Sequence, residues 1–245
     1  VATTRRPKGY YLTLVLLASL VFYVHALEQR RTVTTARLMS GWTVVIDPGH
    51  GGVDTGARGR SGVMEDDVVL RIALELKALL QAEGVQVVMT RDADIDLAQP
   101  GTGHRQRESL EKRVAIIKDG KADLAVSVHC NAVPSSQWYG AQVFYDGSRN
   151  DGSKLLAECI QAEIARLVGG TSRQASQKID HFILKNSNVP SITVEAGFLS
   201  NPREERLLSQ RDYQRSIAWG IFSGLMKYAL TTAATIGGRG DAPRR

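Results

Sequence analysis

The feature that most constrains this 245-residue chain is a β-branched run, Thr43-Val44-Val45-Ile46-Asp47, stopped by Pro48 and by Gly49, Gly51 and Gly52. Such a run reads as a buried strand ending in a tight loop. From residue 66 to 83 the apolar side chains fall at Val68, Val69, Ile72, Leu76, Leu79 and Leu80, a helical stripe closed by Gly84. Residues 85–90, VQVVMT, form the next strand. Strand, helix and strand in that order predict a parallel pair joined by a right-handed crossover.

The alternation continues. A loop with Pro100, Gly101 and Gly103 leads to a helix near residues 108–118 and a strand DLAVSVH. A Pro/Ser loop, a strand AQVFY and a helix near 153–167 follow, and then a polar stretch, 171–177, that reads as a loop. A short apolar run around Phe182, a strand SITVEAGF and a last helix near 213–230 complete the pattern. The expected fold is α/β: a single domain with a mostly parallel twisted sheet flanked by helices on both faces.

The ends differ from this core. Arg5, Arg6 and Lys8 precede an uncharged apolar stretch from residue 10 to 27, which matches an export signal. The stretch is long enough to span a bilayer, yet Val24-His25-Ala26 resembles a cleavage site, so 1–27 reads as a signal peptide or an N-terminal membrane anchor. It is apolar on all faces and terminal, which argues against a buried core helix. The flanking positive charges predict the bulk of the chain outside the cytoplasm. Residues 28–41 read as a linker, 42–230 as the catalytic domain and 231–245 as a disordered tail, whose RGD triplet reads as chance.

Charge excludes a nucleic-acid partner. Of the formal +6, three charges lie before residue 10 and a net two after residue 230, which leaves +1 for the region between. A nucleic-acid enzyme carries its basic face on the folded domain. Cys130 and Cys159 are far apart in sequence and read as buried free thiols rather than a disulfide.

In open parallel sheets ligands bind beyond the carboxyl ends of the strands. His50 follows the first strand, His129 ends DLAVSVH, Glu195 sits near the end of the last strand, and Glu65 opens the first helix. All four therefore face one sheet edge. Each alone has a duller reading: a hydrogen-bonded structural histidine, a carboxylate at a helix dipole, a buried salt bridge. Together they make a recurrent zinc set of two imidazoles and a carboxylate, with a further carboxylate to take a proton.

Four segments carry a resemblance: VVIDPGHGG with His50, MEDD with Glu65, SVHCNA with His129 and VEAGFLSNP with Glu195. In order and spacing they resemble the signatures of N-acetylmuramoyl-L-alanine amidases of the Amidase_3 type, over residues 42–230. The resemblance implies zinc held by His50, Glu65 and His129, Glu195 as the catalytic glutamate, and peptidoglycan as the substrate. TRDADIDLA, RESLEKRV and SVHCNAVPSSQWYGAQVFY further resemble the germination-specific, CwlD-type amidases of spore formers. That implies action on cortex peptidoglycan leading to muramic-δ-lactam, and an activating partner that promotes metal loading. Membrane attachment is expected only if the N-terminal segment stays uncleaved.

The chain departs from the family at Asp66, where a lysine is usual, and at Cys130, directly after His129. Strand neighbours point to opposite faces, so Cys130 is not expected to bind zinc. Arg91 and Arg113 either meet substrate carboxylates or pair at the surface, and Asn131 is a candidate to orient the site. His181 reads as a surface histidine rather than a cleft residue; His104, in a loop, and His25 are not ligand candidates. The rival functions are a zinc peptidase or deacetylase on cell-wall material, and a peptidoglycan-binding protein without catalysis.

Overall fold

A computed structural model describes residues 39–99, 101, 103–178 and 181–237 of the folded region. Residues 1–38 form a separate unit, of which Leu17, Ser19, Leu20 and Tyr23 are described, as helical. The expected export segment and linker therefore lie largely outside the described residues. Among these, no helix is long and apolar enough to cross a membrane.

Six strands form one sheet: β1 (Thr43–Pro48), β2 (Gln86–Met89), β3 (Leu124–Asn131), β4 (Gln142–Tyr145), β5 (Ser176–Gln177) and β6 (Ser191–Phe198). Their order is β2-β1-β3-β6-β4-β5. β2, β1, β3 and β6 run parallel, while β4 is antiparallel to β6 and parallel to β5. Every residue of β6 is buried, as expected of a strand covered on both faces.

Helix α6 (Arg211–Gly237) packs against both α1 (Glu65–Ala82) and α3 (Ser153–Val168), and α1 and α3 also contact the sheet. The stripe on α1 buries Val68, Val69, Ile72, Ala73, Leu76 and Leu80, and Glu65, Asp66 and Asp67 complement the dipole in its first turn. Where α6 crosses α3, a Cβ on Gly224 would come within 2.4 Å of Ile160 Cα, so only glycine permits that approach. A second cluster joins Val114 and Ile117 of α2 (Arg105–Asp119) and Ile183 of α4 (Phe182–Asn186) to Val45 and Ala125 of the sheet. Side chains alternate across a strand, so Val45 and Ala125 place Asp47, Ser127 and His129 on the α2/α4 face.

Several elements go beyond the sequence reading. β5 falls in the stretch read as a loop, and α4 and α5 (Pro202–Leu208) were not anticipated as helices. The last helix continues past Leu230 to Gly237, so residues 231–237 are helical rather than tail, and the rest of the expected tail, 238–245, lies outside the described residues. Thr231, Thr232 and Thr235 donate their hydroxyls to carbonyls one turn back, which satisfies these polar groups within the helix.

Candidate functional site

Two polar rows cross the carboxyl end of the sheet on the α2/α4 face. In the inner row Asp47, Ser127 and Thr193 are register neighbours; in the outer row His129 pairs with Glu195, and Glu195 with Gln142. Asp47 is fully buried and accepts from Thr90 Oγ1 at 2.7 Å, Ser127 Oγ at 2.5 Å and Arg113 Nη1 at 2.5 Å. Burial works to raise its carboxyl, but the Arg113 charge and the two hydroxyls prevail and hold it at about 2.

The loop after β1 carries His50 in the left-handed region, φ 58°, uncommon for a residue with a side chain. Two buried arginines hold it there. Arg91 donates to the carbonyls of Pro48 and Gly49 at 3.1 and 2.7 Å, and Arg113 to those of Pro48 and His50 at 2.7 and 2.6 Å. Arg91 also bonds the Asp66 carbonyl at 3.0 Å, tying the start of α1 to the same loop. Neither arginine is a surface pair: Arg91 gives its donors to backbone carbonyls, and Arg113 divides its own among carbonyls, Asp47 and Ser109 at the wall of the cleft.

His50, Glu65 and His129 converge. Glu65 Oε1 lies 3.2 Å from His50 Nε2 and 3.0 Å from His129 Nδ1, and the three donor atoms all fall within 4.8 Å of one another. Glu65 is buried, and its oxygens accept from Cys130 N and Ala57 N, both at 2.9 Å. His50 Nδ1 lies 2.9 Å from Asp54 Oδ2. That bond holds one proton on Nδ1, so that Nε2 presents its lone pair to the cluster once the second proton leaves, the arrangement by which a carboxylate orients a metal-binding imidazole. Burial lowers the His50 pKa, but the bonds and charges of Glu65 and Asp54 override it and raise it to about 9. The donor set and its spacing fit a divalent cation.

Glu195 stands one strand from His129 and is 7% exposed. One oxygen, Oε1, lies 3.3 Å from Lys178 Nζ, while Oε2 is buried without a hydrogen bond among the described residues. Among the described residues, His181 Nδ1 is likewise a buried side-chain atom without a hydrogen-bond partner. His181 Nε2 lies 3.4 Å from Thr193 Oγ1, and its ring is 6.3 Å from that of His129. Burial, then His129 and Lys178, push this imidazole down to about 4. His181 is therefore a half-buried residue of the cleft, not a surface histidine: α4 folds back over the inner row and carries it in. It lines a cavity of about 270 Å³ together with His50, His129, Gln106, Ser109 and Arg113.

Other expectations fare unevenly. Cys130 is buried and free, with its thiol raised well above the usual range by burial and then by the nearby Glu65, Glu195 and Glu204. Cys159 is also free and buried. Asn131 contributes its carbonyl to Leu199 N, and among the described residues its side chain bonds no member of the cluster. His104 occupies the N-cap position of α2 without a side-chain cap bond and is not among the clustered residues. Asp66 is buried beside Arg91, so a cation does stand near the start of α1 despite the missing lysine. Asp54 and Lys178 were missed; Asp54 four residues after His50 was a usable signal, whereas Lys178 gives none locally.

Comparison with known proteins agrees with this geometry. The family model described as N-acetylmuramoyl-L-alanine amidase, Amidase_3, matches residues 44–227. The germination-specific N-acetylmuramoyl-L-alanine amidase of Bacillus subtilis is 40% identical over 193 residues, covering 78% of this chain and 81% of that one. The amidase AmiC of Escherichia coli O6:H1 is 32% identical over 80% of this chain; the chain spans 55% of that relative's length. The CwlD amidase of Clostridioides difficile, solved in complex with the GerS lipoprotein, superposes with a TM-score of 0.75 at 39% identity, over 78% of this chain and 100% of that one. With nearly the whole folded region matched, the chain belongs to the Amidase_3 family of N-acetylmuramoyl-L-alanine amidases.

Proposed function

We propose that this protein is a zinc-dependent hydrolase of the amide bond between N-acetylmuramic acid and L-alanine in peptidoglycan. The observation that carries the reading is the convergence of His50, Glu65 and His129, each with one ligand atom within 4.8 Å of the others, one strand from Glu195. His50, Glu65 and His129 would hold the zinc ion, which when bound supplies Lewis acidity toward a water and the amide carbonyl. Glu195 acts as the base: it accepts a proton from the attacking water and passes it to the departing amine of L-alanine. Asp54 fixes the His50 tautomer, and Arg91 and Arg113 hold the His50 loop in its left-handed conformation.

The likeness to the B. subtilis germination-specific enzyme supports a role in spore cortex maturation and germination, where peptide-free muramic acid is the precursor of muramic-δ-lactam. The substrate and the basic, apolar start of the chain support action outside the cytoplasm. The C. difficile complex with a lipoprotein supports an activating protein partner for this chain as well.

The test is product analysis on purified muropeptides with zinc supplied. New L-alanine amino termini on released peptides are expected; released acetate or cleaved internal peptide bonds would overturn the assignment. Glu195→Gln should abolish turnover while keeping bound zinc.

A further inference from the structure

On the far side of Glu195 from the metal-holding cluster, the outer polar row continues into a built aromatic surface. Gln142, the register partner of Glu195, accepts from Arg173 Nη1 at 2.9 Å, and Arg173 Nε donates to the Tyr139 carbonyl at 2.7 Å. The Arg173 guanidinium lies 4.8 Å from the ring centre of Phe198 and 5.8 Å from that of Trp138. Trp138, Tyr139, Ser172 and Arg173 line a concavity of about 320 Å³.

Both rings are open to solvent, Trp138 at 50% and Tyr139 at 59%. Their backbone is firmly held, however. Asn201 Nδ2 donates to the carbonyls of Ser136 and Trp138 at 2.9 and 3.2 Å, and Gly140 N donates to buried Glu204 at 2.9 Å. A loop fixed by its backbone while two adjacent aromatic side chains face water has the character of a binding surface.

We propose that Trp138, Tyr139 and Arg173 form a sugar-binding platform for a residue of the glycan strand that flanks the muramoyl residue under attack. The inference rests on the amidase reading and extends it to the direction in which the substrate lies. The scissile bond joins a sugar to a peptide, so substrate leaves the site two ways. The cleft under α2 and α4 is lined by His50, His129, His181 and Arg113, polar groups suited to a peptide arm. The opposite end offers flat aromatic faces, and its cation already has two donors engaged, which suits the apolar face of a pyranose better than a carboxylate. Strands lie about 4.8 Å apart, so two strand steps from His129 to Gln142 and the reach of Arg173 put the platform roughly 15 Å from the cluster. That separation calls for a neighbouring sugar on the strand, not the muramoyl residue itself.

The experiment compares two substrates: peptidoglycan strands several disaccharides long, and a single N-acetylmuramoyl-peptide. For Trp138→Ala, kcat/KM on strands should fall about tenfold, chiefly through KM, as loss of one aromatic stacking partner predicts. Activity on the single-sugar substrate, zinc content and thermal midpoint should be unchanged, and Trp138→Phe should restore most of the loss. Peptide-free glycan strands should inhibit the unaltered protein more strongly than the Trp138→Ala variant. An equal loss on both substrates, no loss on strands, or a defect seen only with a protein partner present would overturn the platform while leaving the amidase reading intact. No amide cleavage of either substrate by the unaltered, zinc-loaded protein would instead remove that reading, and the platform with it.

Discussion

Lys178 places its ammonium 3.3 Å from Glu195 Oε1 and 5.0 Å from the ring centre of Phe144, bracing a nearly buried carboxylate from one side. The second oxygen of Glu195 has no hydrogen bond, so Lys178 alone among the described residues fixes how this carboxylate is turned. A base contributes only when its oxygen is held within reach of the proton it takes. Lys178→Met should therefore lower kcat by about 10- to 100-fold, part of what a positioned base supplies, with KM little changed. Lys178→Arg should recover most of that loss. Steady-state kinetics on muropeptides, with bound zinc measured in parallel, check this; a methionine variant with unchanged kcat would show that Glu195 needs no brace.

Metal affinity should climb with pH through neutrality. In the metal-free protein His50 stays protonated up to about 9, because Glu65 and Asp54 outweigh the opposing effect of burial. A cation must displace that proton. Calorimetric titration with zinc in two buffers of different ionisation enthalpy should show proton release near pH 7 that disappears above pH 9. The same raised pKa sets the stability of the metal-free protein. Its contribution is full below the unfolded value of 6.5 and is lost as pH rises through about 9, so the metal-free thermal midpoint should drop over that window. Asp54→Asn should weaken zinc binding about 10- to 100-fold, as loss of an orienting carboxylate does.

Asp47 gives the opposite sign at acid pH. Its folded value of about 2 lies below the ordinary 3.8, so its contribution is present above pH 3.8 and lost as pH falls through 2. That contribution is on the order of 2 kcal/mol. Urea unfolding between pH 5 and 2 should show this loss, and Asp47→Asn should flatten the acid limb. Arg113→Met should be worse than the asparagine change, since it strands a buried carboxylate and frees the His50 loop.

The parts of the site legible in the sequence were those with a local signature. A β-branched run ending in Pro-Gly-His, a helix opened by Glu65 and a strand ending at His129 each announce their place at the sheet edge, so the cluster could be anticipated from order alone. Arg91 and Arg113 could not be placed because most of their partners are carbonyls 25 to 65 residues away, and carbonyls leave no trace in residue type. His181 was misplaced for a related reason: α4 is five residues long, too short for a period to show which way it faces. Lys178 lies in a polar stretch whose composition suits a loop, and its pairing with Glu195 exists only because β5 docks on β4.

Gly49 puts the cluster to its most direct steric test. Its nitrogen donates to the Val128 carbonyl at 3.0 Å, which lays the loop flat against the end of β3. A Cβ there would sit 2.1 Å from His129 Cε1 and 2.5 Å from both ring nitrogens. The loop is held by Arg91 and Arg113, so the imidazole must move, and it cannot do so while keeping Nδ1 3.0 Å from Glu65. Gly49→Ala should thus leave secondary structure intact but lower zinc affinity at least as much as loss of one ligand's orientation, about 100-fold, with activity falling alongside. Gly103→Ala, where an added Cβ meets nothing within 4 Å, is the matched control and should change neither. Zinc affinity by competition with a chromophoric chelator separates the two variants. If Gly49→Ala bound zinc as the unaltered protein does, His129 would not be the ligand this geometry requires.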